Sequence, residues 1–233
     1  MPFLPPKRPR ARQGQTRKRH QVALVKICGI RSWDDAAAAV DAGADILGFV
    51  CDAHSPRHID PYEFIAICLR LPPTVRRVGV FHRTPSEAWR NIGHEVFHKF
   101  HQIQYADDSL WTSTIRENWD MQRKIRSFRL TNPTSLREVA NFNGLVQSYL
   151  LNVHLTSDRG YMTADEAGWD LACDVWQFGK KIYLAGGLTP DNVARAISKV
   201  QPYAVDVTVG VESEPGVKDH ALMRRFIKAA RQE

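Results

Sequence analysis

Residues 182–193 read Ile182-Tyr183-Leu184-Ala185-Gly186-Gly187-Leu188-Thr189-Pro190-Asp191-Asn192-Val193, and residues 204–212 read Ala204-Val205-Asp206-Val207-Thr208-Val209-Gly210-Val211-Glu212. Each opens on a short, mostly apolar run and passes directly into a glycine-containing turn. The first then meets Pro190, a residue suited to the start of a helix. Buried parallel strands have this look, because both of their faces are covered. Strand, glycine turn, helix and strand make one βα unit and the start of the next.

Outward from these stretches, the same alternation fills the chain. Strands are expected at residues 23–28, 45–49, 75–81, 101–104, 124–130, 148–152, 182–185 and 204–207. Helices are expected from Ser32, with Asp34 and Asp35 in the first turn, after Pro61, near Pro85 and Ser86, after Pro133, from Pro190 and over 219–230. Two further helices, within 109–118 and 163–177, mix tryptophans with polar residues and have the least clean periodicity. Eight strand-helix alternations without a break predict a single-domain α/β fold, a closed (β/α)8 TIM barrel over residues 21–233. Parallel strands need helical crossovers, and closure leaves no bare sheet edge. An open doubly wound sheet is the alternative architecture.

The formal charge of +7 is concentrated at one end. Residues 1–20 hold Lys7, Arg8, Arg10, Arg12, Arg17, Lys18 and Arg19 and no acidic side chain; removing these seven from the 32 basic residues leaves 25, equal to the 25 acidic ones. The barrel is therefore expected to be neutral. The tail, with Pro2, Pro5, Pro6 and Pro9, is expected to be a disordered basic extension. Nucleic-acid contact is the functional reading of its charge, and a solvated extension the structural one. No apolar run approaches the ~20 residues of a membrane-spanning helix, and the start lacks the apolar centre of a secretory signal. A cytoplasmic protein with no membrane partner is expected. Cys28, Cys51, Cys68 and Cys173 show neither metal-ligand nor paired spacing, which predicts reduced thiols and no metal.

In such a barrel the chemistry sits at the carboxyl ends of the strands and in the loops that follow. Cys28 ends the first strand and is expected to point into the mouth as a nucleophile or base; a buried small hydrophobe is the alternative. Arg57, in Ser55-Pro56-Arg57, offers a planar fork for a carboxylate or phosphate on a loop that proline stiffens. Gly186 and Gly187 after strand seven, with Thr208, Val209 and Gly210 after strand eight, let backbone approach an anion closely. Loops seven and eight are where this fold usually binds phosphate. The thiol would then face a phosphate gripped from the opposite rim.

Several segments carry a resemblance: Lys26-Ile-Cys-Gly29, Ala42-Gly-Ala44 ahead of Leu47-Gly-Phe49, Ser55-Pro-Arg57, Val78-Gly-Val-Phe81, Gln102-Ile-Gln104, Leu184-Ala-Gly-Gly-Leu188 with Asn192-Val193, and Gly210-Val-Glu212 followed by Pro215-Gly216 and Lys218-Asp219. In order and spacing they resemble the phosphoribosylanthranilate isomerase family from Val25 to Ala229. The resemblance implies an intramolecular aldose-ketose (Amadori) rearrangement in tryptophan biosynthesis, acting on a small phosphosugar without cofactor or metal. It implies Cys28 as the general base, Arg57 as the grip on the anthranilate carboxylate, and Gly186, Gly187, Thr208, Val209 and Gly210 as the phosphate site. A monomer or homodimer is expected.

The chain departs from the family pattern at the general acid. The family has an aspartate in a Leu-Leu-Asp context, whereas this chain reads Leu150-Leu151-Asn152, and an amide cannot donate a proton as a carboxylic acid does. Residues i and i+2 of a strand share a face, which makes His154 the expected replacement acid and Asp158 the second choice. A catalytically impaired phosphosugar-binding barrel with a regulatory role is the alternative function. Retention of Cys28 and Arg57 favours an enzyme, since a pure phosphate binder needs neither.

Overall fold

The computed structural model describes residues 22–81, 89, 100–105, 123–153 and 166–232. Its strands are β1 (Leu24–Cys28), β2 (Ile46–Val50), β3 (Arg76–Phe81), β4 (Gln102–Tyr105), β5 (Lys124–Leu130), β6 (Ser148–Val153), β7 (Lys181–Ala185) and β8 (Ala204–Val207). They pair in sequence order, all parallel, and β8 returns to β1 to close a barrel. The open-sheet alternative is thereby excluded. The expected basic tail at 1–20 and the expected helices near Pro85 and within 109–118 lie outside the described residues.

Helix starts follow local chemistry. Ser32 Oγ accepts from the Asp35 N–H at 3.2 Å and opens α1 (Trp33–Asp41), whose first turn carries Asp34 and Asp35 against the positive helix end. Asp60 caps α2 (Pro61–Arg70), with Pro61 in the position where a missing N–H costs nothing. Next come α3 (Ser135–Asn141) and α4 (Glu166–Asp174), the latter running into a 3-10 turn at Val175–Phe178 that Gly179 ends in the left-handed region. The helix expected from Pro190 begins later, as α5 (Val193–Val200), because the preceding residues form a turn tied by Asn192. A short hairpin, β9 (Glu212–Glu214) and β10 (Val217–Lys218), leads into α6 (His220–Arg231), whose Asp219 cap accepts from Ala221 and Leu222.

Strand alternation divides the core in two. Val25, Ile27, Leu47, Phe49, Tyr149, Leu151, Ile182, Leu184 and Val205 pack outward under the helices, where Phe64 stacks on Phe100 at 4.3 Å. Cys28, Ile46, Val50, Val78, Val80, Ile125, Leu150, Tyr183, Ala185 and Ala204 fill the barrel. With period 2, Lys26 shares the inward side of β1 with Cys28, Asp206 that of β8 with Ala204, and Asn152 that of β6 with Leu150. Lys26, Gln104 and Asp206 are thus buried among the apolar side chains of the barrel interior. No helix among the described residues is long and apolar enough to cross a membrane.

Candidate active site

At the carboxyl end of the barrel lies a pocket of about 420 Å³. Cys28, Arg57, Asn152, Gly186, Gly187, Thr208, Val209 and Gly210 all line it, so one cavity collects every described residue expected from the sequence to act. His154 and Asp158 lie outside the described residues. The geometry corrects one expectation. The phosphate loops do not face the thiol from the opposite rim, because ring closure makes β8 the immediate neighbour of β1, with Ile27 level with Val207.

Cys28 is 5% exposed and opens onto the pocket, buried enough to exclude bulk water yet reachable by a ligand. Beneath it sits Lys26, fully buried in the barrel interior. Its ammonium donates to Asp206 Oδ1 at 2.9 Å and to Gln104 Oε1 at 3.2 Å. Burial disfavours the charged lysine, but the charges of Asp206 and Cys28 and the hydrogen bonds to both outweigh it, holding the ammonium above the ordinary lysine range. Lys26 and Asp206 are register partners across the β1–β8 seam, so the two strands deliver the pair without any loop.

Arg57 stands on the loop after β2 and reaches the β9–β10 hairpin. Its Nε donates to Glu212 Oε1 at 2.9 Å and its Nη2 to Glu212 Oε2 at 2.7 Å, a bidentate fork. Glu212 also accepts from Lys218 Nζ at 2.9 Å, and Lys218 donates in turn to the Thr208 carbonyl at 3.2 Å. Burial raises the Glu212 carboxyl, yet its bonds to Arg57 and Lys218 hold it below the usual carboxylate range. Lys218, by contrast, is lowered chiefly by its own burial. The hairpin thereby joins the Arg57 loop to the turn that follows β8.

The loop after β7 is fixed from inside. Asn192 is buried, accepts from the Thr189 N–H at 2.8 Å and donates to the Gly187 carbonyl at 2.9 Å. Gly186 adopts φ 93°, and a Cβ there would come within 2.5 Å of Asn152 Oδ1 and 2.6 Å of the Val153 nitrogen. Only glycine fits. The backbone of Gly210 packs against the Leu188 carbonyl, so the two glycine loops touch and present one continuous rim. Thr208 leads into a 3-10 turn, Val209–Val211, with Val209 half exposed at the pocket edge.

Asn152 sits level with Ala185 on the inner wall, and its Oδ1 is buried without a hydrogen-bond partner. The apolar part of the wall comes from Val50, Val80 and Leu150. Lys26, Gln104, Asp206, Glu212, Lys218 and Asn192 were not singled out from the sequence as functional. The available signals were a lysine inside an otherwise apolar strand two residues before Cys28, and an aspartate in the same setting in β8.

Comparison with known proteins places these residues in company. The family model described as N-(5'phosphoribosyl)anthranilate (PRA) isomerase matches residues 25–229. N-(5'-phosphoribosyl)anthranilate isomerase of Trichlorobacter lovleyi is 41% identical over 208 residues, covering 89% of this chain and 98% of the relative. That of Geobacter metallireducens is 40% identical over 207 residues, covering 89% and 98%. Among solved structures, phosphoribosyl anthranilate isomerase from Thermotoga maritima superposes with a TM-score of 0.76 at 33% identity, covering 91% of this chain and 100% of that one. A further isomerase structure, solved with reduced 1-(o-carboxyphenylamino)-1-deoxyribulose 5-phosphate, gives a TM-score of 0.73 at 32% identity over the same shares.

Proposed function

The chain belongs to the N-(5'-phosphoribosyl)anthranilate isomerase family, and from that membership we infer how its barrel mouth performs the aldose-ketose isomerisation of phosphoribosylanthranilate in tryptophan biosynthesis. One observation carries the inference: Cys28, Arg57 and both glycine loops line a single pocket. The reaction moves protons and opens a ring, so one acid and one base suffice.

In the proposed arrangement the phosphate rests on the backbone of Gly186, Gly187, Thr208, Val209 and Gly210, where close approach and outward N–H groups favour an anion. The anthranilate carboxylate meets the Arg57 guanidinium, whose Nε and Nη2 edge is held by Glu212. The aromatic ring lies along Val50, Val80 and Leu150. This leaves C2' of the sugar near Cys28, which as thiolate removes its proton and as thiol returns one.

Opening of the furanose needs a proton on the ring oxygen. By the resemblance of Leu150-Leu151-Asn152 to the family's Leu-Leu-Asp, Asn152 stands in for the family's aspartate, and in this reading it contributes a hydrogen bond rather than a proton. Its side-chain oxygen lies against the Gly186 turn without a hydrogen-bond partner. The proton itself is assigned to His154, two residues further along the chain, with Asp158 as the second candidate. Imidazole titrates near neutrality and is suited to the task.

The test is growth of an isomerase-deficient tryptophan auxotroph carrying this chain, paired with a fluorescence assay of substrate loss. Growth supports the assignment. No growth, together with thermal stabilisation by a sugar phosphate, would identify a binding barrel that has lost turnover, the reading that Asn152 alone favours. One Thermotoga maritima relative is described as dimeric. Light scattering on this chain distinguishes a homodimer from a monomer.

A further inference from the structure

Taking Cys28 as the base of that reaction, we propose that Lys26 is the countercharge of the Cys28 thiolate, a positioning residue that holds negative charge on the sulfur from beneath the pocket floor. The geometry has three parts. First, Cys28 Sγ and Lys26 Nζ converge over Gly48, approaching the place of its absent Cβ to 2.8 and 3.0 Å. Any larger residue at 48 would drive them apart, and Gly48 is level with Cys28 in the β1–β2 ladder. Second, an ammonium has three protons to give. Gln104 Oε1 and Asp206 Oδ1 accept two, which leaves one over beside the converging Cys28 sulfur. Third, Lys26 is fully buried, and a charge cut off from water acts strongly on its neighbours.

The surrounding charges agree. Around the sulfur lie Lys26 from β1, Asp206 from β8, Arg57 from the β2 loop and Lys218 from the hairpin, the last two held by Glu212; β2 offers only Gly48 and β4 the neutral Gln104. Among the described residues these are three cations and two carboxylates. When the sulfur takes the substrate proton, the S–H bond forms as the C–H bond breaks, and the electron pair stays on the sugar. Lys26 keeps its own proton throughout, so it acts through Cys28 and never on substrate.

The experiment compares Asp206→Asn with the double variant Lys26→Met/Asp206→Asn, which differ only at position 26. Because Asp206→Asn strands the buried Lys26 ammonium, thermal melts first establish that both variants are folded, and wild type against the double variant gives a second comparison in which no charge is stranded. Alkylation of Cys28 by iodoacetamide is followed by peptide mass mapping, which separates it from Cys51, Cys68 and Cys173. An opposite charge at this range changes thiolate population by about tenfold or more. The double variant is therefore expected to alkylate about tenfold more slowly at pH 7. The gap should close at pH 10, where a thiol ionises unaided. Turnover should fall in parallel, with KM changed less than about threefold. Equal alkylation rates at pH 7 in the two folded variants would overturn the proposal, as would a gap that persists at pH 10. Loss of the base assignment has a separate signature: Cys28→Ser would retain turnover.

Discussion

Arg57 and Glu212 are 155 residues apart in the chain and meet as a two-bond fork, Nε to Oε1 at 2.9 Å and Nη2 to Oε2 at 2.7 Å. A guanidinium held in this way keeps its orientation before any ligand arrives, and less freedom is lost on binding. Glu212→Gln retains the shape but removes the charge that makes the fork strong. A charge-assisted bond contributes about 1.5–3 kcal/mol, so KM for phosphoribosylanthranilate is expected to rise about tenfold or more while kcat stays within about threefold. Steady-state kinetics decide it, and an unchanged KM would remove Glu212 from the carboxylate grip.

The same pair has a pH signature. Arg57 and Lys218 hold the Glu212 carboxyl below its ordinary value against the effect of burial. A depressed carboxyl contributes stability that is present above its unfolded value and lost as the pH falls through the folded one. The difference in Tm between the wild type and Glu212→Gln should therefore hold steady from pH 7 to about 5 and shrink below about pH 4. A difference that grew with acid would reverse the sign of this argument.

Cys28→Ser keeps the size of the side chain and replaces a thiolate-forming group with a hydroxyl that stays protonated. General base catalysis is worth about 10²–10⁴, so kcat is expected to fall by about a thousandfold with Tm little changed. Circular dichroism melts and initial rates on the same preparations provide the check.

Asn152→Asp restores a carboxyl on the inner wall. An increase in kcat of about tenfold or more is expected, because the ring oxygen gains a nearby proton donor. The paired variant His154→Ala is expected to cost about a hundredfold in the native background and much less in the Asn152→Asp background. Equal losses in both backgrounds would show that His154 does not stand in for the acid.

Asn192→Ala removes two hydrogen bonds from a buried side chain that ties Thr189 to Gly187. The lost bonds and the unsatisfied Thr189 N–H cost about 2 kcal/mol, read as a lower Tm. Stabilisation by added inorganic phosphate should shrink as well, since the loop carries part of the anion site. A lower Tm with undiminished phosphate stabilisation would confine Asn192 to a structural role.

Much of this barrel was legible in one dimension. Each of the eight barrel strands was expected within one residue at each end, because a parallel strand covered on both faces writes a short apolar run between turn residues, whereas the β9–β10 hairpin was not expected. The helix after β7 was less legible: Pro190 suggested its start, but Asn192 holds the intervening residues in a turn and delays it to Val193. For the site, Cys28, Arg57 and the glycine loops were readable, since each ends a strand or occupies the loop beyond it. Glu212, Lys218 and Asp206 were not, because their meaning lies in partners that only barrel closure supplies. Lys26 announced itself as a charge inside an apolar strand, yet nothing local told what it faced.

The β1–β8 seam ties Lys26, in the first strand, to Asp206, 180 positions downstream. A ribosome makes the thiol early and its supporting carboxylate almost last, so a nascent chain holds the sulfur long before the surroundings that activate it exist. Reactivity of that sulfur during synthesis should appear abruptly, after β8 clears the exit tunnel, rather than growing with each added βα unit.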